Sequence, residues 1–165
     1  MKWKILRGYV ENRTKETALA AMMLALFFVS RTFTIPLGLV TIDFSGAIIM
    51  SAASALSWPF TIVFSLATFY LGSNVFGTMA FLVGTQIAFF TAKSVRRSLV
   101  PHTPGVGTLA GMLTYGLLLH SSGIMSFSVY VIALSIPIVF ACVSTYLGGL
   151  LFWRAFKYIG FVLDE

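Results

Sequence analysis

The stretch FSGAIIMSAASALSWPFTIVFSLATFYL, Phe44–Leu71, contains no charged residue, and the fold turns on whether it forms one helix or two. A single helix would extend about 42 Å at about 1.5 Å per residue, against a hydrocarbon core of about 30 Å. Ser57-Trp58-Pro59 divides the stretch near its middle, and the proline disfavours helical conformation at Trp58. The cations outside it require the same division. Ten of the eleven Lys and Arg residues fall in three groups: Lys2, Lys4, Arg7, Arg13 and Lys15; then Lys93, Arg96 and Arg97; then Arg154 and Lys157. Short basic segments stay on the cytoplasmic side of a membrane, so an even number of spans must separate each group from the next. One helix over 44–71, followed by the apolar helix over 75–92, would put the middle group outside. Two helices keep it inside.

Composition points to the same class: 58% of the 165 residues are hydrophobic and 10% are charged, far from the usage of soluble domains. The expectation is an all-α integral membrane protein, a single bundle of six transmembrane helices with cytoplasmic N- and C-termini. The spans fall at about 17–35, 43–57, 59–74, 75–92, 106–120 and 126–153. Residues 1–16 carry Trp3, Leu6 and Val10 on one helical face among cations and read as a cytoplasmic interfacial segment. The basic, then apolar, start has the look of a secretory signal. It runs on into Arg31 and Pro36 without a small-residue cleavage site, which predicts a retained first span. Asn12-Arg13-Thr14 matches a glycosylation sequon, but a cytoplasmic segment is never offered for glycosylation. The net charge of +6 follows from orientation and contact with anionic lipid headgroups, so no nucleic-acid partner is expected. Cys142 stands alone, so no disulfide can form within the chain.

Several chemistries have nothing to build on. There is no Gly-rich phosphate loop ending in Lys-Ser or Lys-Thr. Gly105, Gly107 and Gly111 read as small residues that let helices approach closely rather than as a dinucleotide fingerprint. His102 and His120 belong to opposite ends of one helix with no Cys or carboxylate at ligand spacing, so neither a metal site nor a cofactor is expected. Glu11, Glu16, Asp164 and Glu165 are assigned to the cytoplasmic tails, which leaves Asp43 alone. A two-carboxylate mechanism is therefore not expected, no catalytic residue is assigned, and the chain reads as a non-enzyme.

The remaining polar residues gather towards the outer side. Arg31 lies about 22 Å along its helix from Glu16, and Asp43 ends the first outer loop. Arg31 reads either as a snorkelling cation paired to Asp43 or to lipid phosphate, or as a ligand anchor. Asn74 occupies the second outer turn, while Tyr115, His120 and Tyr130 approach from the fifth and sixth helices. Each is an interfacial anchor or an interhelical hydrogen bond taken singly; together they are candidates to line an outward pocket. Gln86, mid-span, reads as an interhelical hydrogen-bonding residue. On the first helix Thr14, Ala18, Ala21 and Ala25 recur at four, three and four residues, a small-residue stripe on one face. Spacing leaves open whether its neighbour belongs to this bundle or to another subunit.

The chain resembles the substrate-binding S-component of an energy-coupling-factor (ECF) vitamin transporter. The resemblance is carried by the six-helix plan with both ends inside, by Ala21-Met-Met-Leu-Ala25 in the first helix, by the proline-containing outer loop from Pro36 to Asp43, and by the Ser-Trp-Pro turn where many relatives have Gly-Pro. It covers nearly the whole chain. It implies that Ala21 and Ala25, with Ala18 on the same face, dock against a transmembrane coupling subunit carrying two ATPases. It also implies that the first outer loop and the outer ends of helices four to six enclose a vitamin or related micronutrient, in a multi-pass protein of the prokaryotic cell membrane. The alternative from another class is a scaffold subunit similar to the MreD-type cell-shape proteins, with no small-molecule ligand.

Overall fold

The computed structural model describes residues 9–10, 12–33, 35–37, 40–42, 44–70 and 75–161. Six α-helices are present among them: α1 (Arg13–Thr32), α2 (Ser45–Ala55), α3 (Trp58–Tyr70), α4 (Val75–Ser94), α5 (Thr103–Ser121) and α6 (Phe127–Tyr158). A 3-10 helix, Arg97–His102, leads into α5.

Local chemistry sets the boundaries. Asn12 is the N-cap of α1, its Oδ1 accepting the Lys15 N–H at 2.9 Å. The Asn-Arg-Thr triplet is thus a helix start, and α1 begins four residues before the expected first span. Arg13–Glu16 form the first turn of this helix, continuous with the expected first span. Residues 1–8 and 11 lie outside the described residues. Beyond α1, β1 (Ile35–Leu37) and β2 (Val40–Ile42) form an antiparallel hairpin with Ile35 opposite Ile42 and Pro36 opposite Thr41. This small ribbon is an addition to the all-α expectation. A two-stranded ribbon consists of edges alone, where Pro36 is tolerated.

The Phe44–Leu71 stretch is divided where the proline stands. Leu56 is extended at φ −84°, ψ 169°, and α3 starts at Trp58 with Pro59 in its first turn, where the missing N–H has no helical partner to lose. The two helices have 11 and 13 residues, about 17 and 20 Å. α2 is buried along its whole length except at Gly46. It runs through the middle of the bundle, packed by α1, α3, α4, α5 and α6, and its Ser, Gly and Ala residues let all of them approach.

α4 and α6 are each long and apolar enough to cross a membrane. α6 is one helix of 32 residues that continues past the expected end at 153 through Arg154 and Lys157. Ile132, Ile136, Val139, Val143, Leu147 and Leu151 form a line along it, each at least 51% exposed. The line is about 29 Å long. α5 crosses α4 at a seam of small residues. A Cβ at Gly107 would lie 2.6 Å from both the Ala88 Cβ and the Gly84 carbonyl oxygen, and one at Gly111 would lie 3.0 Å from the Ala80 oxygen.

Described members of the three basic groups meet at one end of the bundle. Lys15 Nζ donates to the Gly160 carbonyl at 3.1 Å, joining the first group to the third. Tyr9 joins all three: Lys93 Nζ stands 3.7 Å above its ring, and the ring packs edge-on against Trp153 with centroids 5.5 Å apart.

Candidate functional site

α1 is a helix with two different faces. Glu16, Leu19, Ala20, Met23 and Phe27 are buried, and Arg31 follows Phe27 by four residues on the same line. Thr14, Ala18, Ala21 and Ala25 are exposed on the other side of the helix. The small-residue stripe is therefore not covered by the described residues of this bundle.

The inward line leads to a partly open cavity of about 300 Å³ lined by α1, α2, α4, α5 and α6. Arg31, Ser45, Gly77 and Tyr115 line it towards the hairpin end of the bundle, and Met50, Thr108 and Thr145 line it towards the basic end. Ala47, Ala80, Phe81, Met112, Pro137 and Ala141 form the wall between them. Among the described lining residues, Arg31 carries a formal charge. Two of the hydroxyls are committed as donors: Ser144 Oγ gives its proton to the Ala141 carbonyl at 3.0 Å, and Thr145 Oγ1 to the same oxygen at 2.5 Å. Thr108 differs. It is 7% exposed, and its Oγ1 is buried without a hydrogen-bond partner among the described residues. A buried hydroxyl left in this state costs about 1–3 kcal/mol. Threonine in a helix has two accessible χ1 rotamers, so rotation exchanges hydroxyl and methyl at the cavity wall.

Of the six residues expected at a binding site, the structure brings Arg31 and Tyr115 together around this cavity. Tyr130 is 0% exposed and packs into the α5–α6 contact: its hydroxyl donates to the Met112 carbonyl at 2.9 Å, and its ring lies where a Cβ at Gly116 would be. It is a neighbour of the cavity wall through Met112 and does not line it. His120 is exposed at the end of α5, away from the lining residues. Asp43 and Asn74 lie outside the described residues. Gln86 Oε1 accepts the Trp58 indole N–H at 2.8 Å, an α3–α4 contact. Among the described residues, no group of three His, Cys, Asp or Glu is placed to hold a metal ion.

Ser45, Thr108 and Thr145 were not among the residues expected at the site. The available signal was helical spacing: Thr108, Gly111, Met112 and Tyr115 recur at three to four residues, as do Pro137, Ala141, Ser144 and Thr145.

The opposite end of the bundle is closed by polar contacts. Glu16, assigned from sequence to the cytoplasmic tail, is 9% exposed, and its Oε1 accepts the Ser57 N–H at 2.5 Å. The Tyr9 N–H donates to the Ala55 carbonyl at 2.8 Å, and the Tyr9 hydroxyl to the Ala92 carbonyl at 2.5 Å. Burial pushes the Tyr9 hydroxyl pKa up, with the Arg97 charge opposing, so it remains a neutral donor.

No family model, curated protein or solved structure matches the chain, so its function is argued from these residues.

Proposed function

We propose that the chain is the substrate-binding subunit of an ECF-type importer for a vitamin or related micronutrient. It would be powered by two partner ATPases through a transmembrane coupling subunit. It is a binding protein without catalysis of its own. The observation that carries this reading is the division of α1, with Arg31 at a cavity between the helices and Ala18, Ala21 and Ala25 exposed on the other face. A subunit that takes up a ligand and hands it to a partner needs both surfaces on one rigid element. A scaffold of the MreD type needs no cavity.

In this reading the bundle crosses the prokaryotic cell membrane six times with both termini cytoplasmic. The exposed apolar line of α6 supports it, because about 29 Å matches the hydrocarbon thickness of about 30 Å. So does the meeting of described members of the three basic groups at one end. α2 and α3 are shorter than the hydrocarbon core, and their turn is closed from the basic end by Tyr9 and Glu16. Backbone groups at membrane depth are tolerated where protein satisfies them.

Co-expression with a coupling subunit and its ATPases tests the proposal. Ala21→Leu and Ala25→Leu should abolish co-purification and uptake while leaving the chain folded and its cavity able to bind. Loss of folding in both variants would assign the stripe to internal packing. Wild-type uptake by both would remove the docking role.

A further inference from the structure

Thr61, Thr114 and Thr145 each give their hydroxyl proton to the backbone carbonyl four residues earlier, on Ser57, Ala110 and Ala141. Thr108 does not. It stands inside α5, yet its Oγ1 makes no bond to the equivalent carbonyl of Pro104 or to any other group among the described residues. Its hydroxyl therefore keeps one proton to donate and both lone pairs. The side chain is 7% exposed and belongs to the cavity wall, and a turn between the two χ1 wells open to a helical threonine exchanges the shielded hydroxyl with the methyl group.

The facing wall of α6 supplies the complementary chemistry. Gly105, one turn before Thr108, packs on α6, where a Cβ would lie 3.4 Å from the Tyr146 Cβ and 3.6 Å from the Cys142 carbonyl oxygen. Ser144 and Thr145 belong to that stretch of α6 and line the same cavity as Thr108. Both of their protons go to the Ala141 carbonyl, at 3.0 and 2.5 Å, so at the cavity their oxygens can only accept. This corner thus combines one uncommitted donor with hydroxyl oxygens that accept. Neither α5 nor α6, both described throughout, contributes a charged side chain to the wall. An ion set against them would lose hydration and meet no opposite charge from either helix, whereas a neutral group that accepts one hydrogen bond and donates another would be matched.

On the reading of the chain as a binding subunit, we propose that the Thr108–Thr145 corner is a hydrogen-bonding subsite for an uncharged amide group of the ligand. The Thr108 hydroxyl, turned to the cavity, donates to the amide carbonyl oxygen, and the Thr145 oxygen accepts the amide N–H. The substrate class is one that carries a primary carboxamide or a lactam.

The test uses the purified full-length chain in lipid nanodiscs, titrated by calorimetry against empty nanodiscs so that uptake by the lipid is subtracted, with thermal unfolding of each ligand-free variant alongside. The probes have one shape and differ in their polar atoms: benzamide has the carbonyl and the N–H, acetophenone the carbonyl alone, and α-methylstyrene neither. Wild type should bind benzamide best, acetophenone about tenfold more weakly and α-methylstyrene more weakly again, one hydrogen bond being lost at each step. Thr108→Val should remove the preference for acetophenone over α-methylstyrene, and Thr145→Val the preference for benzamide over acetophenone. Thr108→Ser, which retains a hydroxyl, should bind all three within about twofold of wild type. Ser51 is the control, because it too is buried without a partner among the described residues, at 4% exposed, but does not line the cavity. Ser51→Ala should leave every affinity unchanged. Equal affinity of wild type for the three probes, preferences unchanged in either valine variant, or no binding of benzamide at millimolar concentration overturns the proposal. So does a Thr108→Val protein that melts well below wild type, since its hydroxyl would then have a structural partner. The transport reading fails separately: a chain that discriminates the probes in this way but never co-purifies with a coupling subunit keeps the subsite and loses the importer role.

Discussion

The Glu16 carboxylate accepts the Ser57 backbone N–H at 2.5 Å across 41 residues of sequence. Ser57 immediately precedes α3, so a negative charge sits at the first turn of a helix whose leading N–H groups have no internal partner. The same turn offers the Ala55 carbonyl, taken by the Tyr9 N–H. The break that Pro59 imposes on the Phe44–Leu71 stretch thus leaves exposed backbone groups, and the start of the chain returns to satisfy them. A break in the middle of an apolar stretch becomes compatible with burial by this route.

Glu16→Ala is expected to destabilise the protein by about 1–3 kcal/mol, the cost of leaving a buried donor unsatisfied. Glu16→Gln keeps an acceptor oxygen and should lose less than half as much. Thermal unfolding of both variants in one detergent checks the order. Equal losses would mean that charge alone matters at this position.

The division at Ser57-Trp58-Pro59 was legible because proline acts on its neighbour whatever surrounds it. Glu16 was not, because it was grouped with Glu11 in the cytoplasmic tail. Its place four residues before Ala20 and seven before Met23 puts it on the buried line of α1. The same rule, four residues after Phe27, carries Arg31 to the cavity. The β1–β2 hairpin left no trace, since three residues per strand are too few for an alternation to stand out. Most of the cavity wall was illegible for a related reason: α4, α5 and α6 are apolar on every side, so no contrast distinguishes a face that lines a space from one that meets lipid. Tyr130 and Tyr115 looked alike in sequence, and only the space beneath Gly116 separates a packed ring from a lining one.

Gly107, at the α4–α5 seam, and Gly46, on α2, should respond to substitution in opposite ways. Gly107→Ala would force its Cβ to 2.6 Å from the Gly84 backbone oxygen, which cannot turn aside as a flexible side chain can. A loss of about 1–3 kcal/mol is expected from overpacking. Gly46→Ala meets nothing within 4 Å and should hold or raise stability, by up to about 1 kcal/mol from helix propensity. Melting temperatures of the two variants, measured side by side, test whether the seam is as tight as it stands.

Orientation is open to direct chemical test. Ser98 and Ser122 are both exposed, one in the basic 3-10 helix and the other just beyond α5. Single cysteines at these positions in a Cys142→Ala background should react with a membrane-impermeant maleimide from opposite sides in intact cells and inverted vesicles. Labelling from one side only would overturn the six-span topology.

Two buried hydroxyls provide the last prediction, because their sequence contexts are similar and their surroundings are not. Ser54 Oγ lies 2.8 Å from Thr103 Oγ1 and 3.0 Å from the Met50 carbonyl, and Thr103 Oγ1 also donates to the Val100 carbonyl. Ser54→Ala removes a partner from a satisfied pair and should cost about 1 kcal/mol or more. Thr108 Oγ1 has no partner among the described residues, so Thr108→Val replaces an unsatisfied hydroxyl by a methyl group of the same shape. The ligand-free protein should then keep its stability or gain up to about 1–3 kcal/mol, the size of the penalty removed. If the Thr108 hydroxyl serves the cavity, the same substitution should weaken binding of a ligand that reaches it with a polar atom and leave unchanged the binding of one that meets it with an apolar group. A Thr108→Val protein that melts well below wild type would show that the hydroxyl already has a structural partner, a bound water being the simplest, and would remove it from the ligand site.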